Sequence, residues 1–471
     1  MLHGEPGVGK TTVALSFLRE AARAKERCLY ITLSETEEEL RSVAHSHGWS
    51  LDGITVFEMK LAEDRSPQSD EYTLFHPAEV ELTEAMDTLL KEVERLKPLR
   101  VVFDSLSEIR LLAQSSLRYR RQILALKQHF AGSGCTVLLL DDRTSEPGDT
   151  QLQSLAHGVI QLEQMAPTYG AERRRLRVIK LRGVKYRGGF HDYKIATGAF
   201  IVYPRLVAAE HRGDIAADNA RSGIPGLDEM LGGGLPRGNS CLVMGPPGTG
   251  KSIISLQFAV DAATRGEKAA VFAFDESIAT ILARSKSLGS PLSRYVEEGL
   301  IHLQQIDPAE MSPGEFVHEV RQAVSGGARI VVIDSLNGYL NAMPSEHFLV
   351  ILLHEMLAFL AQCGVTTLLV TAQHGIVGSQ MVSPVDVSYL ADTVILLRYY
   401  ESQGRIANAL SILKKRTGAH ERAIRAFTIS EKGARVGEQL AHLQGILTGV
   451  PAFRAEPTNA PVETDGARSS S

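Results

Sequence analysis

The sequence predicts an α/β chain: two tandem nucleotide-binding domains, each a mostly parallel sheet with helices on both faces. Three observations carry that prediction. Two segments, Gly4-Glu5-Pro6-Gly7-Val8-Gly9-Lys10-Thr11 and Gly245-Pro246-Pro247-Gly248-Thr249-Gly250-Lys251-Ser252, fit the phosphate-loop pattern G-x-x-x-x-G-K-[ST] in full. Short β-branched runs alternate with longer amphipathic stretches, the order of a parallel sheet covered by helices. The whole pattern also occurs twice. Lys10 returns as Lys251, Asp104 as Asp334 and Lys180 as Lys414, each about 230–240 positions later, as a duplication requires.

In the second copy a strand is expected at 241–244, running into the loop, and a helix at 253–264. A strand at 269–274, a helix at 278–288, a strand at 330–333, a helix at 347–362 and a strand at 366–371 follow. The strand runs are apolar throughout, which fits burial on both faces. In the first copy Val101-Val102-Phe103 ends at Asp104-Ser105, as the 330–333 strand ends at Asp334-Ser335. A linker is expected at 213–220, between a first domain at 1–212 and a second at 221–450. Residues 451–471, rich in Pro, Ala, Ser, Thr and charge, read as a disordered tail. The copies differ at their starts. The second loop is preceded by Ser222-Gly223-Ile224-Pro225-Gly226-Leu227-Asp228 and Leu231-Gly232-Gly233-Gly234-Leu235-Pro236-Arg237-Gly238, whereas only Met1-Leu2-His3 precede Gly4. The first domain is therefore expected to lack its N-terminal lead-in and the strand that feeds its loop, with either a natural start upstream of Met1 or a naturally shortened domain as the reason.

Composition narrows the function classes. At 471 residues and 44% hydrophobic content, the chain can bury two sizeable cores. A net charge of −5 gives no global attraction to nucleic acid. Cys28, Cys135, Cys241 and Cys363 form no C-x-x-C pair, which argues against structural zinc or a disulfide scaffold and fits a reducing cytoplasm. No apolar run approaches the roughly 18 residues that a membrane span needs, and no secretory signal opens the chain.

The loops specify ATP and Mg²⁺ as ligands. Gly4, Gly7 and Gly9, like Gly245, Gly248 and Gly250, let backbone N–H groups turn inward around phosphate oxygens. Lys10 and Lys251 place a point charge on the outer phosphates. The hydroxyls of Thr11 and Ser252 reach Mg²⁺, with Thr12 and Thr249 completing the nucleotide set. Asp104 and Asp334 end buried strands and can hold Mg²⁺ through water.

The S-G-x-x-G-L-D and L-G-G-G-L-P-x-G lead-in, the paired loops, the two D-S strand ends and the K-x-R strands resemble the KaiC family of tandem RecA-type ATPases. The segments Ala391-Asp392-Thr393-Val394-Ile395-Leu396-Leu397 and Ala423-Ile424-Arg425-Ala426-Phe427-Thr428-Ile429-Ser430 extend the likeness to nearly the whole chain. The resemblance implies RecA-like P-loop NTPase domains, hexameric rings with ATP at subunit interfaces, and signalling protein partners. It also implies a catalytic acid pair after the strand that follows the loop helix. Those pairs read Ser34-Glu35 and Asp275-Glu276. Ser34 cannot act as a base near neutral pH, while Asp275 can. Lys180 and Arg182, and Lys414 and Arg416, match the strand motif that reaches a neighbouring subunit's γ-phosphate. Alternate positions put each pair on one strand face. Ser388, followed by Tyr389, aligns with the family's autophosphorylated pair, and Ser383 lies nearby. The expected activity is an ATPase with autokinase chemistry at Ser388 open to question, its second copy doing most of the chemistry. A nucleotide-dependent scaffold with little turnover and a RecA-type DNA-binding ATPase are the alternatives. The latter would use the basic run of Arg173, Arg174, Arg175, Arg177, Lys185 and Arg187, although sparse aromatic interleaving speaks against it.

Overall fold

The computed structural model describes residues 1–59, 77–113, 115–142, 151–167, 169–213, 215–340, 346–373, 389–446 and 452–453. The chain divides into two compact units, Met1–Arg205 and Leu206–Ser471. The division falls upstream of the expected boundary at 212. Leu206 and Ala208 are buried with Phe359 and Leu360 in the core of the second unit. Within the expected linker, Asn219–Ala220 pairs antiparallel with Leu235–Pro236, and Asp218 is bound to Arg237 at 2.7 Å. The expected tail lies outside the described residues except for 452–453.

Each unit is built on one nine-stranded sheet. The first contains β1 Leu2–Gly4, β2 Cys28–Thr32, β3 Ile54–Glu58, β4 Arg100–Asp104, β5 Thr136–Asp142, β6 Gly158–Met165, β7 Arg173–Leu181, β8 His191–Ala196 and β9 Ala199–Tyr203. Their lateral order is β3-β2-β4-β5-β1-β6-β7-β8-β9. Pairings from β3 across to β6 are parallel, and those from β6 to β9 antiparallel. The second contains β10 Ser240–Gly245, β11 Lys268–Ala273, β12 Ile301–Gln305, β13 Ala328–Asp334, β14 Thr366–Ala372, β15 Thr393–Ser402, β16 Arg405–Lys415, β17 Arg425–Ser430 and β18 Gly433–Gln439. Its order, β12-β11-β13-β14-β10-β15-β16-β17-β18, repeats the first strand for strand. The expected tandem α/β architecture is thus present, extended by an antiparallel wing of three strands in each unit.

The expectation that the first loop has no feeder strand is corrected. Leu2–Gly4 is that strand, in the same central place as β10. Leu2 pairs with Leu140 on one side and Ile160 on the other, and it is buried. Three residues suffice because ladders on both edges satisfy their backbone groups.

Strand side chains alternate between two cores, as a pleat with period two dictates. Along β11, Ala269, Val271 and Ala273 face the core under helix Lys251–Thr264. Ala270 and Phe272 face the opposite core, with helices Pro313–Ser325 and Glu346–Gln362. In β2, Cys28 and Tyr30 meet helix Lys10–Arg23, while Leu29 and Ile31 meet the helices Leu106–Ala113 and Ser116–Phe130. Expected and observed elements differ by few residues, and hydrogen bonds explain the shifts. Phe274, just beyond the end of β11, still donates its N–H to Asp334 O at 2.7 Å, so the ladder with β13 reaches one residue past the assigned strand. The helix after the second loop begins at Lys251, since Ile254 N already donates to Gly250 O at 3.1 Å.

Both loop helices start from a left-handed glycine, Gly9 at φ 91° and Gly250 at φ 95°. Each lies against an isoleucine of the antiparallel wing. A Cβ on Gly9 would collide with Ile195 Cδ1, and one on Gly250 would meet Ile429 Cδ1 at 2.5 Å. An L side chain at either position is strained by about 1–3 kcal/mol. The chain's single tryptophan, Trp49, is buried in the core of the first unit, which makes its fluorescence a reporter of that unit. Gly9→Ala is expected to lower the urea midpoint followed by Trp49 by the equivalent of about 1–3 kcal/mol. An unchanged midpoint would show that the loop tolerates a side chain there.

Two candidate phosphate sites

In each unit the loop leaves the carboxyl end of the central parallel strand, where ligands of open α/β sheets bind. In the second unit Lys251 is 7% exposed. Its Nζ folds back to donate to Pro246 O at 2.8 Å, and Thr249 Oγ1 donates to the same carbonyl at 2.8 Å. That carbonyl stands in for a phosphate oxygen. Burial pulls the Lys251 ammonium down to about 8, with Asp334 opposing the shift. Asp334 is pushed above the usual carboxylate range by burial. The Ser252 hydroxyl bonded to it opposes that rise, and Glu276 and Asp275 add to it.

The two acids after β11 are held differently. Asp275 is exposed and accepts a hydrogen bond from Ser335 Oγ, beside Asp334. Glu276 is paired with Arg284 of helix Ile278–Ser287 at 2.5 Å. Asp275 is therefore open to solvent, while Glu276 is ion-paired.

The first site has the same plan with different partners. Lys10 Nζ donates to Gly4 O and Glu5 O, each at 2.9 Å, and forms an ion pair with Asp142 at 2.6 Å. Asp104 accepts hydrogen bonds from Tyr30 at 2.5 Å and from Thr11. Burial pushes Asp104 up, the Tyr30 hydroxyl opposes it, and Asp142 adds to it. Glu35 is also raised, by burial and then by Asp104 and Glu39. One of its carboxylate oxygens, Oε2, is buried without a hydrogen-bond partner. Ser34 is exposed at the position equivalent to Asp275. Thr12 Oγ1 lies 3.4 Å from His47 Nε2.

The fit of Mg²⁺ can be judged from these donors. Thr11 with Asp104, and Ser252 with Asp334, are hydroxyl–carboxylate pairs already within hydrogen-bond reach. Such a pair leaves the remaining positions of an octahedral ion to water and phosphate, the usual Mg²⁺ arrangement. Among the described residues no group of three or more His, Cys, Asp or Glu converges on one point, and a phosphate-bridged ion needs no such cage. The residues fit the ion.

The basic pairs lie at the far end of the wing hairpins. Lys180 Nζ donates to Gln153 O at 2.6 Å, and Arg182 Nη2 to Ser154 O at 2.8 Å. Lys414 Nζ donates to Ala391 O at 2.8 Å, and Arg416 Nη2 to Tyr389 O at 2.6 Å. Each pair thus shares one face, and these bonds do not run to the loop of its own unit. The basic run of β7 is partly neutralised. Arg174 pairs with Glu172, Arg175 with Glu163, and Arg177 donates to Gln161. Ser388 and Ser383 lie outside the described residues.

Sequence reasoning missed four side chains. Asp142 and Tyr30 touch the groups that define the first site. Tyr193 donates to Val8 O at 2.6 Å, and Tyr399 donates to Pro247 O at 2.9 Å, so a tyrosine grips each loop. Asp142 had a signal: it follows the 136–140 run where the second copy has Ala372.

The KaiC ATPase family model matches residues 1–207 and 220–441. The chain is 25% identical over 460 residues to the circadian clock oscillator protein KaiC of Thermosynechococcus vestitus, covering 96% of this chain and 87% of that protein. It is 25% identical over 459 residues to the protein of the same description from Synechococcus elongatus, with the same coverage. Against that of Acaryochloris marina it is 24% identical over 460 residues, again covering 96% and 87%.

The Lys251 ammonium carries a pH signature. A bound polyphosphate restores its charge and raises its pKa above the free value of about 8. Affinity is then full below pH 8 and is lost as pH rises through it, by up to about tenfold per unit. ATP titrations of a Lys10→Ala chain between pH 7 and 10 are expected to show this fall. A flat profile would contradict it.

Proposed function

The chain belongs to the KaiC family of P-loop ATPases, and from that premise we propose that it binds ATP–Mg²⁺ at both loops and hydrolyses it chiefly at the second. The observation that supports this most is the convergence of Lys251, Ser252, Asp334 and Asp275 at one strand end. Lys251 exchanges the Pro246 carbonyl for the outer phosphates. Mg²⁺, held by Ser252 directly and by Asp334 through water, would neutralise phosphate charge. Asp275 orients the attacking water and takes its proton, a role that Glu276 fills poorly while paired with Arg284. Lys414 and Arg416, and Lys180 and Arg182 in the other layer, serve the γ-phosphate of a neighbouring subunit in a hexameric ring. They exchange backbone carbonyls for phosphate oxygens when they do so.

In this reading the ring changes conformation with nucleotide state and is read by protein partners in the cytoplasm. Transfer of the γ-phosphate to Ser388 would add an autokinase step to the same site. No described helix is long and apolar enough to cross a membrane. For the first unit a scaffold role has specific support, because Ser34 offers no base and Lys10 is already paired with Asp142. Glu35 is its remaining acid after β2.

Mg²⁺-dependent phosphate release by full-length variants tests the proposal. Lys251→Ala and Asp275→Asn are expected to lose about 10²-fold or more of the rate, and Lys10→Ala to keep most of it while loosening the ring in gel filtration. Activity that survives Lys251→Ala would overturn the assignment. Radiolabel from γ-labelled ATP that is equal in wild type and Ser388→Ala would remove the autokinase step.

A further inference from the structure

Among the described residues, the ion pair between Lys10 and Asp142 has no counterpart in the second unit. Asp142 ends β5 and stands in register with Gly4, the first residue of the loop. Ala372 holds the same register position against Gly245. A neighbouring exchange accompanies this one. In the second unit Asn337 seals the strand end, accepting from Thr371 Oγ1 at 2.8 Å and Ala372 N at 3.0 Å. In the first, the equivalent Ser107 is too short to do so. It donates to Asp142 Oδ2 at 3.0 Å, holding the carboxylate against the lysine. The charge is partly sheltered, with the Lys10 side chain 10% and the Asp142 side chain 29% exposed, so solvent screens it incompletely.

A loop lysine meets the β- and γ-phosphates. A carboxylate fixed on that lysine therefore lies at the γ-phosphate end of the site. It opposes nucleotide in two ways: it must give up the ammonium, and it repels the phosphate that replaces it. Repulsion grows with the charge at the γ position and is weaker for a diphosphate, whose outermost phosphate stops short of it. We propose that Asp142 is a specificity residue that sets the first loop against nucleoside triphosphate and in favour of nucleoside diphosphate. The second loop, with a methyl group at that place, lacks the discrimination. The two layers would then differ in nucleotide occupancy at equal ATP and ADP, although their phosphate loops match.

This rests on the reading that both loops bind nucleotide, and the test separates the two. Full-length Lys251→Ala chain, in which only the first loop is intact, is titrated in Mg²⁺ with fluorescent ADP and with a fluorescent non-hydrolysable ATP analogue. Asp142→Ala and the near-isosteric Asp142→Asn are compared with it. Both are expected to tighten the triphosphate about tenfold or more and the diphosphate less than about threefold, as loss of a charge at the γ position requires. The reciprocal Ala372→Asp in a Lys10→Ala chain should weaken triphosphate more than diphosphate at the second loop. Equal tightening of both ligands, unchanged affinity, or weaker triphosphate binding in the Asp142 variants would overturn the proposal. If the Lys251→Ala chain and its Asp142 variants, or the Lys10→Ala chain, bound no nucleotide at all, the underlying reading that both loops bind would fail instead.

Discussion

The central strand of each sheet, hydrogen-bonded along both edges to parallel neighbours, is the constraint on which the sites depend. β10 is held by β14 and β15 over most of its length, and its last residue, Gly245, is still in register with Ala372. The loop emerges at a fixed height beside the ends of β13 and β14. That height places Ser252 against Asp334 and curls Lys251 over Pro246. The left-handed Gly250 then turns the chain into the helix with Ile429 filling the space a side chain would need. Phosphate binding is local chemistry, but its geometry is inherited from backbone ladders that run through the core.

Much of this was legible in the residues. The phosphate loops, the Asp-Ser strand ends and the alternation of strands with helices depend on local pattern, and local pattern is what a sequence displays. β1 was misjudged because length alone seemed to rule it out, yet Leu2 gains from two flanking strands that lie more than a hundred residues away. The antiparallel wing was not visible, since orientation is settled by pairing partners and not by composition. Asp142 stood out only as a difference between the copies, and its role was not visible. Its meaning comes from its register with Gly4, and no spacing rule connects the two positions.

The two units share topology and differ in charge placement. The second unit puts an acid at Asp275 and a methyl group at Ala372. The first reverses this, with a hydroxyl at Ser34 and an acid at Asp142. Each unit has three carboxylates at or just beyond the strand ends near its loop: Asp275, Glu276 and Asp334 in one, Glu35, Asp104 and Asp142 in the other. The two units thus differ in which strand end carries the third carboxylate. That shift costs no core contact, because all these side chains sit at strand ends, so it leaves the shared fold intact.

The grip of Tyr399 on Pro247 O ties the wing hairpin to the phosphate loop. Tyr399 sits on β15 opposite Asn408, and nearer the start of the strand Val394 pairs with Lys414. Roughly 17 Å separates the two points, at about 3.3 Å per residue, with the register shifting between Val394 and Ile395. One end touches the carbonyl of the phosphate loop, and the other carries Lys414 and Arg416. The same hairpin thus joins the phosphate loop to the basic pair through backbone pairing and one tyrosine hydrogen bond.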